Sequence, residues 1–310
     1  MVDLAEIIAV WRGETRRALK SGRVLVLLIL FVLFVALALT IVGGFQHQAN
    51  AQLEQQAAAA GADLSQAHSQ MTEQKKSFLK YFVTDDEKML DALAAIPLVL
   101  LVVFKITLRF LPLFIALMGF DQLAGEVGPK SIRYLVVRIK RTSIIFGKLL
   151  SQMTIFAMLL SLCTILMVVV AKVLNADFPA ADAAVWTVKL ILSSFVLSLA
   201  YLALTTLFSA ITKQGGIALV LNVIALFLIW FVSLVAGFYR FPGEDAGTSV
   251  LAQFKPESWV AYLRYLSVWQ FGDDLLNPEW SRALISGLVH VGYGLVFLGL
   301  AQLATRRRDL

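Results

Sequence analysis

Six long apolar runs, separated by polar segments of unequal length, give the chain its pattern. They fall at about residues 23–44, 96–120, 149–173, 188–211, 217–238 and 283–304. A hydrocarbon layer about 30 Å thick is crossed by roughly 20 residues of α-helix, which satisfies its own backbone polar groups away from water. Each run reaches that length, so the pattern predicts an all-α polytopic membrane protein with six transmembrane helices. The first run follows a basic segment, as the core of a signal peptide does. Its apolar stretch from Val24 to Val42 exceeds the ~7–15 residues of such a core and predicts a retained helix.

The polar segments carry patterns of their own. Residues 1–22 place Leu4, Ile7, Ile8, Trp11, Ala18 and Leu19 at helical spacing, with Arg12, Arg16, Arg17 and Lys20 largely opposite. This predicts an amphipathic helix in the headgroup region, its cations toward anionic membrane lipid. Residues 45–95 are rich in Ala, Gln and Lys and hold no proline, which predicts an external helical hairpin with its tip at Ala57–Gly61. The last helix of that hairpin is expected to continue, with a small bend near Pro97, into the second span. Residues 239–282 concentrate aromatic side chains, which prefer the membrane interface, and Pro256 suits the first turn of a helix running to about Phe271. One or two external interfacial helices are predicted there, with Trp259, Tyr262 and Trp269 as candidates for closing the outer end of a pathway. A plain aromatic anchor is the alternative.

Composition agrees with the pattern: 59% of residues are apolar and 15% charged, against roughly 45–50% and 25% in soluble domains. The net charge of +6 is more informative once divided among the loops. If the N-terminus is cytoplasmic, the segments on that side hold 15 basic and 6 acidic residues, and the external segments 10 and 15. Lys and Arg accumulate in cytoplasmic loops, so both termini are predicted to be cytoplasmic. Basicity is then a matter of orientation and gives no reason to invoke nucleic acid. Cys163 stands alone, which excludes an internal disulfide or a Cys-based metal cluster. His47, His68 and His290 are too scattered for a metal motif, and His290, inside the sixth run, reads as a packed or hydrogen-bonded histidine.

Nucleotide chemistry has no visible machinery. Gly128-Pro129-Lys130-Ser131 looks like the end of a phosphate-binding loop, yet Ala124 and Pro129 occupy the positions that require glycine. No span carries an acidic residue, so no catalytic constellation assembles and the chain is read as not an enzyme. The basic loop 121–148 is the most informative segment. After Pro129 it can form a short helix with Ile132, Leu135, Val136 and Ile139 on one face and Arg133, Lys140 and Arg141 off it, suited to docking in a partner's groove.

This loop resembles that of ABC-2-type transporter permease subunits. Asp121 and Glu126 match the family's two acids, Ser131 and Ile132 stand for Thr-Leu, Leu135 and Val136 for Leu-Leu, Arg141 for the arginine, and Gly147-Lys148 for the closing pair. Lys130 replaces a glycine, and the proline before the arginine is missing. The layout is similar too, with a long first external region of the type seen in copper-processing and gliding-related permeases. The resemblance implies that the loop couples the spans to a separate ABC ATP-binding subunit, through Asp121, Glu126, Ser131, Ile132, Arg133, Leu135, Arg138, Lys140, Arg141 and Lys148. ATP and magnesium would then be bound by that partner, not by this chain, and two permeases would assemble with two ATPases in a bacterial inner membrane, export being the family's direction.

Lys105 and Arg109 stand apart, one helical turn from each other inside the second run. Its 17 Leu, Ile, Val and Phe residues favour insertion by roughly 5–10 kcal/mol, and two central cations oppose it by roughly 5–7 kcal/mol. They are the candidate lining of a substrate pathway, with snorkelling to the interface as the competing reading. Two other functions stay open on sequence alone: an ATPase-independent secondary transporter or channel, and a membrane scaffold acting through residues 45–95.

Overall fold

The computed structural model describes residues 3–60, 73, 75–77, 79–80, 87–94, 96–127, 139–175, 178–239, 241, 256–277 and 279–306. Helix follows helix through them. Asp3 caps α1 (Leu4–Lys20) by accepting the Ala5 N–H at 3.1 Å, and Ser21 separates it from α2 (Gly22–Ala60). At 39 residues α2 runs well past the predicted end of the first span. Its continuation is Ala- and Gln-rich and meets no Gly or Pro between Gly44 and Gly61, so nothing stops the helix. Residues 61–72 of the expected hairpin lie outside the described residues.

A short helix, α3 (Glu87–Ala94), precedes α4 (Leu98–Gly119). The two are separate helices, not one bent helix. Pro97 heads α4, and the Lys75 ammonium donates to the carbonyls of Ala94 and Ile96 at the break. Burial pushes the Lys75 pKa below its ordinary value. Proline inside α4, at Pro112, does not end it. A four-residue helix, α5 (Ala124–Val127), follows, then α6 (Arg141–Leu174), α7 (Ala180–Ile211) and α8 (Gly215–Gly237). Two 3₁₀ helices, Trp259–Leu266 and Val268–Leu276, lead to α9 (Trp280–Arg306). The single helix expected from Pro256 is thus divided at Ser267, whose hydroxyl donates to Ile229 O in α8 at 3.1 Å.

Six of these helices are long and apolar enough to cross a membrane: α2, α4, α6, α7, α8 and α9. Their burial is unequal. The apolar windows of α7 and α4 are 72% and 61% buried, whereas those of α9 and α8 are 17% and 11% buried, so α4 and α7 form the centre of the bundle. Rings from α2 and α4 interlock there, Phe31 on Phe114 at 4.7 Å and Phe34 on Phe110 at 5.0 Å. The most extensive pairing is α7 with α9, along the buried stripe Ser286, His290, Gly294 and Ala301. Small residues bring two apolar helices close where no hydrophobic force separates helix from lipid. His290 is fully buried, its Nδ1 donating to Ser286 O at 2.8 Å, as the packed reading expects.

Candidate functional site

At the end of the bundle that carries α1, three helices meet around one buried cation. The meeting requires glycine: a Cβ on Gly147 of α6 would fall 2.6 Å from Val10 Cβ of α1, and one on Gly119 of α4 would fall 2.8 Å from Thr205 Cγ2 of α7. Close approach brings polar groups into register. Trp11 Nε1 donates to Thr154 Oγ1 at 2.9 Å and Thr15 Oγ1 to Ser151 Oγ at 3.0 Å. Lys148 of α6 then extends between two carboxylates, reaching Glu14 Oε1 of α1 at 3.1 Å and Glu126 Oε1 of α5 at 2.9 Å.

The turn that delivers Glu126 is fixed from α7. Ser209 Oγ accepts the N–H groups of Leu123 and Ala124 at 2.9 and 3.1 Å, satisfying donors at the start of α5. Gln122 Nε2 donates to Thr206 Oγ1 at 2.5 Å. Gly215 lies so close to this turn that a Cβ there would sit 2.9 Å from Asp121 Cβ. Lys148 is 3% exposed and Glu126 12%, so their attraction acts in a medium of lowered dielectric. Arg17 also pairs with Glu126, at 3.2 Å, but is 73% exposed and contributes little. Beside the cluster is a cavity of about 340 Å³, bordered by Glu14, Arg17, Asp121, Gln122, Glu126 and Lys148 among others.

The far side of the 128–138 segment is anchored as well. Arg141 Nη1 donates to Thr305 O at 3.1 Å and Arg306 O at 3.5 Å, the terminal carbonyls of α9, where a cation also complements the helix dipole. The Lys140 N–H donates to Glu6 Oε2 at 3.3 Å, and Gln302 Nε2 to Thr142 Oγ1 at 3.1 Å. The described residues on both sides of segment 128–138 are therefore held by other helices.

A second polar site lies within the bundle. Arg109 of α4 stacks its guanidinium over the Trp269 ring at 4.9 Å, in a setting where cation and ring face attract. The 3₁₀ helix that carries Trp269 is sunk among the spans: Ser193 Oγ of α7 donates to Leu275 O at 3.1 Å, and Ser286 Oγ of α9 donates to Phe271 O. Arg264 holds its neighbour by donating to Ala236 O at 3.1 Å, Gly237 O at 3.4 Å and Tyr239 O, closing the end of α8.

The family profile described as ABC-2 family transporter protein matches residues 8–310. The chain belongs to this family. No curated protein matches it significantly. The match makes the chain an ABC transporter membrane subunit. In this ABC-2 subunit Asp121, Glu126 and Lys148 are brought together, while Lys140 and Arg141 form the second anchor. Ser131, Ile132, Arg133, Leu135 and Arg138 fall outside the described residues.

The external candidates separate. Trp269 turns inward onto Arg109, whereas Trp259 is 80% and Tyr262 44% exposed, in a ring cluster with Phe241. Lys105 is half-buried one turn from Arg109. Glu14, Gln122 and Ser209 were not singled out by sequence. A signal existed for Glu14: an acid spaced four residues from Val10 and seven from Ile7 interrupts the apolar stripe of α1, which marks a carboxylate drawn into the contact.

Proposed function

We propose that this ABC-2 subunit forms an export pathway in a bacterial inner membrane, with both termini cytoplasmic, and is driven by a separate ABC ATP-binding subunit that binds ATP and magnesium. Two copies of the chain assemble with two ATPases. Loop 121–148 is the coupling element. Its residues Ser131, Ile132, Arg133, Leu135 and Arg138 meet the ATPase, while Asp121, Glu126, Lys140, Arg141 and Lys148 tie the loop to the spans. Lys105 and Arg109 border the pathway, with Trp269 closing it from outside.

The observation that carries this reading is the double fastening of the loop. On one side Glu126 is bound to Lys148 of α6 and turned from α7; on the other Arg141 holds the end of α9. A displacement of segment 128–138 is therefore transmitted to α1, α4, α6, α7 and α9 together, as rigid-body switching between inward-facing and outward-facing states requires. The long first external region is the layout of copper-processing and gliding-type permeases, and the 39-residue α2 gives it a stiff arm.

Replacing residues 130–138 by a Gly-Ser linker tests the proposal. The tagged native chain is expected to co-purify with an ATP-binding subunit and the linker variant to lose it while keeping its thermal unfolding transition. Retained co-purification would remove the coupling role. Deleting the 45–95 insertion is expected to leave the ATPase bound, which separates coupling from any scaffold role.

A further inference from the structure

The charges of α1 are sorted by side. Glu14 and Arg17 turn toward α5 and α6, where they reach Lys148 and Glu126. On the opposite side Arg12, Arg16 and Leu19 follow one another at four- and three-residue spacing, which aligns them along the helix, with Lys20 beside them in the last turn. Each of these four side chains is exposed. Leu19 is also the upper rim of a long apolar groove of about 820 Å³, walled by Val24 and Leu28 of α2 and by α6 from Leu150 to Ile165. Trp11 and Thr15 tie α1 to α6 at Thr154 and Ser151, so the cations of α1 are held over the mouth of the groove. Ile155 and Leu159 close its floor, and the small side chains of Ala157 and Ser161, one turn apart, leave the room.

The dimensions and the charge both select the occupant. From Leu150 to Ile165 the groove follows α6 for roughly 22 Å at about 1.5 Å per residue, more than half of a hydrocarbon layer about 30 Å thick, which is the reach of one acyl chain of one leaflet. Its mouth is basic, and the acids of α1 are engaged elsewhere: Asp3 caps the helix, Glu6 accepts the Lys140 N–H, and Glu14 pairs with Lys148. α6 contains no acidic residue at all. A basic cluster at the membrane surface, opening onto an apolar groove between spans, is the arrangement that recognises an anionic lipid headgroup.

We propose that this groove binds an anionic phospholipid of the surrounding membrane as a resident lipid. Its phosphate pairs with Arg16 and Lys20, Arg12 adds to the field at the mouth, and one acyl chain lies along α6. The lipid braces α1 on the side away from the Lys148 cluster. Its binding does not rest on the export reading above.

The test uses the full chain in bilayers of phosphatidylcholine and electron spin resonance of phosphatidylglycerol labelled near the end of one acyl chain. A motionally restricted component is expected that unlabelled phosphatidylglycerol displaces and added phosphatidylcholine does not. Arg16→Gln combined with Lys20→Gln should lower that preference by about 30-fold, at about 5-fold for each cation at a membrane surface. Arg306→Gln, which removes a cation at the same end of the bundle, should leave it unchanged. Ala157→Phe, which occupies the groove and keeps every charge, should abolish the displaceable component without moving the unfolding transition. Equal displacement by phosphatidylcholine would mean annular lipid only and would overturn the proposal, as would an undiminished preference in either variant when normally folded. If a variant fails to fold, the native chain decides: 1 M salt, where the screening length is about 3 Å, should erase most of the preference, and a preference insensitive to salt overturns the pairing. In the complex with an ATP-binding subunit, ATP with vanadate should leave the restricted component in place. Its expulsion would make the lipid cargo and overturn the resident assignment.

Discussion

The two charged regions of this molecule place their cations in opposite situations. Lys148 is nearly inaccessible and lies between carboxylates from two other segments, so its charge joins α1, α5 and α6. Arg109 of α4 lies on the face of the Trp269 ring, within the bundle. The first arrangement is closed: the cation is paired within the chain and motion of one helix disturbs the others. The second joins α4 to the 3₁₀ helix that carries Trp269 through the attraction of cation and ring face. Buried cations in one bundle can thus be sorted by what surrounds them, one held between carboxylates and the other on a ring face.

The largest effect is expected from breaking the closed cluster. Lys148→Met takes away the buried cation that Glu126 and Glu14 share, and removing one member of a buried ion pair costs about 3–5 kcal/mol. Thermal unfolding of the purified chain should move down by many degrees, and Glu126→Gln added to Lys148→Met should restore part of the loss. If the single variant melts normally, the cluster does not hold the helices.

At the other region, Arg109→Met should behave differently. It relieves about 2.5–3.5 kcal/mol of insertion cost and gives up a cation–π contact of about 0.5–2 kcal/mol. The relief exceeds the loss, so stability should not fall as it does in Lys148→Met, while transport-linked ATP turnover falls. A melting shift as large as that of Lys148→Met would erase the distinction between the regions.

The sequence made the helices legible because membrane spans are specified by length and apolarity, which one-dimensional pattern contains in full. Their ends were less so. α2 outruns its apolar segment because Ala and Gln sustain a helix in water as well as in lipid, and α6 begins at Arg141, eight residues before its apolar run. Of the loop residues, the spacing of Asp121, Glu126 and Gly147-Lys148 indicated a motif, but their joint location depends on α1 crossing α6 at Gly147, a tertiary contact that no local pattern encodes. Arg109 was conspicuous as a charge in an apolar run. Its partner Trp269 is some 160 residues away in the chain and looked no different from Trp259, which faces outward; only the insertion of the 3₁₀ helices between α7, α8 and α9 separates them.

The smallest effect tests whether proximity alone makes a cluster member. Arg17 is as close to Glu126 as Glu14 is to Lys148, yet it is 73% exposed. Water and salt screen such a pair, and holding a long side chain in place costs entropy, so exposed pairs contribute about 0–1 kcal/mol. Arg17→Ala is therefore expected to lower stability by no more than about 0.5 kcal/mol, a shift that vanishes at 1 M salt, where the screening length is about 3 Å. Lys148→Met should retain most of its effect in the same buffer because its partners are shielded from counter-ions by the packing of α1 on α6. Unfolding curves at low and high salt for the two variants measure the contrast. Equal salt sensitivity would mean that solvent reaches Lys148, and the closed cluster would then be no different in kind from the surface pair beside it.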